Sequence, residues 1–329
     1  MNIETNTEMK RVLVTGAAGF IGHALVQRLL GEGLGGRAVD QVIAMDLKFD
    51  AQSADPRVVH IEGSIADADV RKRALAAPPD AVFHLAALMG SAAERDYELG
   101  RRVNLDATLG LIEDLRGSAV PPRVVFASSV AVYGRLPKHA DENVLPAPPV
   151  TYGAQKLVGE ILLADASRRG WMQGCSLRLP GVVARPSEGP GMFTAFMSHL
   201  FWRLAAGQPM TVPVSPSGKV WWISVGACVD NLLYAACVEP ERLNGRRDCG
   251  VGATRTDAGN ECPSTDFRSS GFFFPTRASG DWLCHSNLPP SVPQPPAALI
   301  RSATISAIKM TVGLVATDGT SGMIEASPA

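Results

Sequence analysis

Tyr152-Gly-Ala-Gln-Lys156 sets a phenol and an ammonium at positions i and i+4. On a helix the two side chains share one face. A free tyrosine titrates near ~10 and is a poor base at neutral pH. A neighbouring ammonium favours the phenolate and lowers that value. The pair therefore suits removal of a proton from a substrate hydroxyl while hydride leaves the same carbon. Ser128 and Ser129 close an apolar run upstream of Tyr152. Either hydroxyl is placed to hold the substrate oxygen.

The hydride acceptor has its own signature. Thr15-Gly-Ala-Ala-Gly-Phe-Ile-Gly22 follows a strand-like run and opens a helical one. Gly16 permits the tight turn, Gly19 lets backbone approach a pyrophosphate, and Gly22 lets the helix pack close to the strand. Phe20 and Ile21 sit in the first helical turn, whose N–H groups face the phosphate oxygens. The strand before and the helix after are what this fingerprint requires. Asp46 ends the second apolar run, 24 residues after Gly22. A carboxylate there accepts hydrogen bonds from the adenosine ribose and repels a 2′-phosphate, which favours NAD over NADP.

Such groups need a scaffold, and the first half of the chain supplies one. Arg11–Thr15, Gln41–Asp46, Arg57–Ile61, Asp80–Ala86 and Arg123–Ser128 are short Val/Ile/Phe runs. Continuous apolar runs suit a parallel sheet covered on both faces. Gly19–Leu30 and Arg95–Leu115 carry apolar residues at helical spacing and predict helices. The alternation predicts an α/β fold: a doubly wound parallel-sheet Rossmann fold with a smaller C-terminal substrate lobe. Its dinucleotide-binding domain is expected over residues 1–170. Over 171–247, lobe elements are expected to interleave with the last sheet strands. These are a strand over Cys175–Val183, helices over Met192–Ala206 and Val225–Val238, and the stretch Lys219–Ser224. The tail, 248–329, is different. Of its 82 residues, 34 are Pro, Ser, Gly or Thr. It predicts an irregular or poorly ordered segment.

Composition narrows the function classes. Apolar residues make up 46% of 329 residues, enough for a sizeable core. The net charge of −1 supplies no basic excess for nucleic acid or an anionic membrane. Met1–Lys10 is polar and acidic, without the apolar stretch of a secretory leader. The six cysteines form no C-x-x-C pair and no zinc-spaced cluster, so no metal site is expected. These features point to a cytoplasmic protein with reduced thiols and a small-molecule substrate.

The chain resembles the extended short-chain dehydrogenase/reductase family, the NAD-dependent epimerase/dehydratases. The resemblance rests on TGAAGFIG at 15–22, VIAMD at 42–46, HLAA at 84–87, VN at 103–104, FASSVAVYG at 126–134 and YGAQK at 152–156. It covers about residues 10–247. It implies a catalytic set of Ser129, Tyr152 and Lys156, with the latter two also touching the cofactor. It further implies NAD contacts from Ser64 and Ile65 beside the adenine, and from Leu85, Ala86, Ala87, Asn104, Pro180 and Val182. Members often pair through the helix near 95–117 and the helix carrying Tyr152, so a homodimer is implied.

Two departures bear on substrate. Sugar-nucleotide members carry an Asn where this chain has Pro180. They also carry a phosphate-holding Arg where this chain has Val220-Trp-Trp-Ile-Ser-Val225. The segment Arg178–Ala236 looks instead like the D-erythronate dehydrogenase-like branch. That implies oxidation of the C2 hydroxyl of a small sugar acid. A carboxylate substrate needs a cationic partner, for which Arg185 and Lys219 are the candidates. Ser91, in the loop after the fourth strand, faces the expected ligand crevice. Two other readings stay open. One is a nucleotide-sugar epimerase or dehydratase with tightly bound NAD. The other is a non-catalytic NAD-binding protein. The resemblance stops near Arg247, and a changed reading frame there would account for the shift in composition.

Overall fold

The first strand, β1 (Arg11–Thr15), has four of its five residues buried and lies in the middle of a seven-stranded sheet. The remaining sheet strands are β2 (Gln41–Asp46), β3 (Val58–Glu62), β4 (Ala81–His84), β5 (Arg123–Ser129), β6 (Gln173–Leu179) and β10 (Asp248–Gly250). Their order is β10-β6-β5-β4-β1-β2-β3, and every pairing is parallel. Strands β1, β2, β4, β5 and β6 are buried throughout their interiors and mostly apolar there, as a sheet covered on both faces demands. The fold is a doubly wound, Rossmann-type α/β architecture, and the strand order reverses between β1 and β4. Ligands bind beyond the carboxyl ends of the strands at such a switch point.

The computed structural model describes residues 10–134, 144–185, 195–208, 210–212, 221–238, 248–250, 312–317 and 321–326. Helix α1 (Phe20–Glu32) buries Leu25, Val26 and Leu29. A Cβ on Gly22 would lie 2.0 Å from the Gly16 carbonyl oxygen, so only glycine permits this helix–strand approach. Helices α2 (Ala68–Ala74) and α5 (Ala107–Leu115) and the long α6 (Thr151–Arg168) follow their respective strands. One core patch joins Leu13, Val82, Leu111, Val124, Phe126 and Leu163, linking the sheet to α5 and α6.

Two expectations change in detail. The helix expected over Arg95–Leu115 is segmented. Helix α3 (Gly90–Arg95) stops where Asp96 caps α4 (Tyr97–Gly100), its carboxylate accepting from the Leu99 N–H at 2.9 Å. A π-helical turn, Arg101–Asp106, then precedes α5. The single strand expected over Cys175–Val183 is two. Pro180 has no N–H for the ladder; β6 ends at Leu179 and β7 (Gly181–Val183) pairs with β9 (Trp222–Ser224).

The chain divides into two units, Met1–Pro180 with Ala227–Ser270, and Gly181–Gly226 with Gly271–Ala329. This division differs from boundaries at 170 and 247. Most of helix α8 (Val225–Cys237) joins the first unit, where Asp230 pairs with Arg28 at 2.9 Å. The second unit holds helix α7 (Ala195–Ala205) and a small core of Val183, Met197, Leu200 and Trp222. It also holds a sheet of β8 (Met210–Val212), β11 (Val312–Thr317) and β12 (Ser321–Ala326). These last two strands and β10 fall in the stretch whose composition predicts irregular structure. The rest of that stretch lies outside the described residues. No helix among the described residues is long and apolar enough to cross a membrane.

Candidate active site

At the carboxyl end of β1 the chain turns through Gly16, whose φ of 74° lies in the left-handed region that glycine adopts without strain. A Cβ there would meet the Ala86 nitrogen at 2.8 Å. The turn and the Leu85-Ala86-Ala87 loop after β4 therefore run backbone to backbone at the switch point. Helix α1 begins at Gly19 with no side chain capping its first turn. An uncapped, glycine-lined helix N-terminus at this place fits a pyrophosphate. Phe20, Ile21 and Gly22 form that first turn. Asp46 ends β2, where its carboxylate accepts from the Ala18 N–H at 2.8 Å and from the Leu47 N–H at 2.7 Å. The Asp46 carboxylate is thereby fixed against the glycine-rich turn.

The other predicted cofactor residues divide by what their side chains do. Ser64 accepts from the Ala66 N–H at 3.2 Å in the turn after β3. Ile65 is a core residue, and its carbonyl accepts from the Arg71 guanidinium at 2.8 Å. Asn104 lies in the π-helical turn, 1% exposed. Its Oδ1 accepts from the Leu88 N–H at 2.7 Å, and its Nδ2 donates to the Leu88 carbonyl at 3.0 Å and to Gln155 Oε1 at 2.8 Å. The Asn104 side chain thus ties the loop after β4 to α6. Pro180 ends the first unit. Val182 and Arg185 belong to the second, where the Arg185 carbonyl accepts from Trp202 Nε1 at 2.7 Å. Lys219 lies outside the described residues.

Tyr152 and Lys156 sit on the first two turns of α6. The Lys156 side chain is 2% exposed, and Nζ lies 4.6 Å from the Phe126 ring centre and 5.7 Å from that of Tyr152. Burial pushes the Lys156 ammonium down to about 7, and the Glu160 carboxylate opposes that fall. The two strand-end serines are separated by the pleat. Ser128 is buried and donates to Glu160 Oε1. Ser129 lies at the strand end, where its Oγ accepts from the Ala131 N–H at 3.1 Å. A hydroxyl accepting one bond still has its own proton to donate. Ser91 stands in α3, and a Cβ on the adjacent Gly90 would contact Tyr152 at 3.7 Å. The Glu94 carboxylate, one turn on, accepts from the Thr151 N–H and moors α3 to the start of α6.

Two buried polar groups have partners that motif reading does not give. His84 is 2% exposed, with Nδ1 2.8 Å from Thr15 Oγ1 and Nε2 2.9 Å from Thr108 Oγ1. Thr108 donates to the Asn104 carbonyl at 2.8 Å, so its oxygen accepts from His84 Nε2–H. Thr15 accepts from the Ala86 N–H at 3.2 Å and donates to Nδ1. Burial, then the Lys156 charge, pushes His84 down to about 3 and keeps it neutral. The other group pairs Glu160 with Arg178 of β6 at 2.7 Å. The sole hints in the sequence are a Glu four residues after Lys156 and an Arg inside an apolar strand.

With this geometry in place, the comparisons with known proteins are specific. The model of the NAD dependent epimerase/dehydratase family matches residues 12–244. D-erythronate dehydrogenase of Cupriavidus necator is 39% identical over 242 residues, 72% of this chain and 75% of that protein. The D-erythronate dehydrogenase of Haemophilus influenzae is 33% identical over 227 residues, 68% of this chain and 71% of that one. Among solved structures, the nucleoside-diphosphate-sugar epimerase from Agrobacterium tumefaciens superposes with a TM-score of 0.69 at 32% identity, covering 74% and 73% of the two chains. The cofactor is NAD, which the uncapped glycine-rich turn and Asp46 fit. The chain belongs to the NAD-dependent epimerase/dehydratase family.

Proposed function

We propose that this protein is an NAD-dependent dehydrogenase that oxidises the C2 hydroxyl of a small sugar acid of the D-erythronate type. The observation that carries the chemistry is the Lys156 ammonium, buried beside the Tyr152 ring on one face of α6. When bound, NAD supplies the hydride acceptor. Ser129 donates its O–H to the substrate oxygen and orients it. Tyr152, as phenolate, takes the hydroxyl proton. Lys156 lowers the tyrosine pKa by proximity of positive charge and holds the nicotinamide ribose. Gly16, Gly19, Phe20, Ile21 and Gly22 seat the pyrophosphate and Asp46 the ribose. Ser64, Ile65, Leu85, Ala86, Ala87, Asn104, Pro180 and Val182 complete the cofactor contacts. Ser91, Arg185 and Lys219 are assigned to substrate. The substrate class is supported by the two D-erythronate dehydrogenases.

The test is NADH formation from NAD against a panel of four- and five-carbon sugar acids, with Tyr152→Phe alongside. Formation that falls at least about a hundredfold in the variant supports the reading, in line with the usual worth of a general base. A second reading is supported by the Agrobacterium epimerase likeness. A sugar-nucleotide epimerase interconverts its substrates with no net NADH, so the same assay separates the two.

A homodimer is part of the proposal. Leu109 on α5, and Val158 and Ile161 on α6, are exposed apolar residues, Ile161 at 60%. Sedimentation of wild type against Ile161→Asp tests it, with a dimer that dissociates in the variant as the expected result. The tail reading also stands as a proposal, supported by a family match that ends at residue 244. A frame change near codon 247 is checked by sequencing the gene. An alternative frame that encodes a helix-forming continuation supports it, and its absence removes it.

A further inference from the structure

Buried charges in a core of this kind need an explanation, because desolvating an ion costs several kcal/mol. Behind Lys156 there are two. Arg178 is 3% exposed and Glu160 is 6% exposed. Arg178 Nη2 donates to Glu160 Oε2 at 2.7 Å, and Nε donates to Oε1 at 3.0 Å, a bidentate fork. Ser128 donates to Glu160 Oε1 as well. Arg178 Nη1 donates to the Tyr133 hydroxyl at 3.0 Å. Four elements therefore meet at one ion pair: α6, the carboxyl ends of β5 and β6, and the turn after Ser129.

Glu160 also stands one helical turn beyond Lys156, and both side chains are buried. The groups that face Lys156 are Tyr152 and Glu160 from α6, the Phe126 ring from β5 and His84 from β4. His84 is neutral and Phe126 carries no charge. Glu160 is the carboxylate that acts on Lys156. Arg178 answers the far side of the same carboxylate.

We propose that the Glu160–Arg178 ion pair is a positioning unit for the proton-transfer set. It ties the end of β5, with Ser129, to α6, and it supplies the counter-charge that keeps Lys156 an ammonium inside the core. Glu160 touches neither substrate nor cofactor in this role; it acts through Lys156. The inference rests on the proton-transfer reading of Tyr152 and Lys156, and its test needs neither substrate nor cofactor.

The experiment is a pH titration of the full-length protein carrying carbon-13 at the lysine ε position. The Lys156 signal is assigned by its loss in Lys156→Met. In Glu160→Gln the midpoint is expected to fall by about one unit, because the attraction of one buried carboxylate is gone. In Glu160→Asp, which keeps the charge, most of the midpoint is expected to return. A purely structural role changes melting in both variants and moves neither midpoint. Glu160→Gln that folds and titrates like wild type overturns the proposal. Where Glu160→Gln does not fold, Glu160→Gln/Arg178→Gln removes the carboxylate without leaving a lone ion, and an unchanged midpoint there overturns it equally. A failed search for a sugar-acid substrate leaves these midpoints where they are, so the two readings fail separately.

Discussion

Two buried polar groups flank the same lysine and solve the cost of burial in opposite ways. On the β4 side, Thr15, His84, Thr108 and Asn104 form a chain in which every proton has an assigned place and no member carries charge. On the β6 side, Ser128, Glu160, Arg178 and Tyr133 keep two full charges and saturate them with each other. The neutral chain joins the glycine-rich turn after β1 to the helical turn holding Asn104. The charged group joins α6 to the ends of β5 and β6. Geometry alone needs only hydrogen bonds, and a neutral chain provides it. Holding an ammonium in the core needs an opposite charge nearby, and the ion pair stands on the side that must supply it.

The comparison breaks hardest at Arg178. Arg178→Met leaves the Glu160 carboxylate buried without its cation, a loss of about 3–5 kcal/mol for a buried pair with one partner removed. Urea unfolding measures it. Glu160→Gln/Arg178→Met should recover much of that loss, because no lone charge remains. A double variant no better than the single would mean that the pair is held for its shape and not its charge.

The next effect is a pH dependence that differs between the two sides. The unfolded chain protonates His84 near 6.5, whereas the folded chain does so only near 3. Between those values the unfolded state binds more protons, so stability falls as pH drops through the window, with a slope of up to about 1.4 kcal/mol per unit. The Lys156 window lies higher. The unfolded lysine is charged up to 10.5 and the folded one up to about 7, so stability rises with pH between those values. His84→Gln should flatten the acid window and leave the alkaline one. Glu160→Gln should extend the alkaline window downward. Denaturant midpoints taken across both ranges read the two separately.

How much of this was legible before the fold was known depends on sequence distance. The strands announced themselves as continuous apolar runs, because a doubly covered sheet leaves no polar face. Tyr152 and Lys156 were legible because one turn of helix sets their spacing. The glycines were legible because a turn, a close approach and an uncapped helix each need them. Glu160 and Arg178 were not, since they stand 18 residues apart on consecutive elements, α6 and β6, and only the packing of the helix on the sheet brings them together. Asn104 was legible as a motif residue, but its partners at Leu88 and Gln155 lie 16 and 51 residues away.

The smallest expected effect sharpens the comparison most, because it changes no charge. Thr108 does two things: its oxygen accepts from His84 Nε2–H, and its O–H donates to the Asn104 carbonyl. Valine keeps the shape and removes both. The His84 donor is then buried without an acceptor, a cost of about 1–2 kcal/mol. Serine keeps the hydroxyl and should cost less than valine. The ring itself reports the change, since the tautomer is set by which nitrogen finds an acceptor. Nitrogen-15 NMR of His84 should show one fixed tautomer, protonated at Nε2, in wild type and Thr108→Ser, and a mixed or reversed one in Thr108→Val. A single unaltered tautomer in the valine variant would place the control at Thr15 instead, and the chain would then be anchored from the end of β1 rather than from α5.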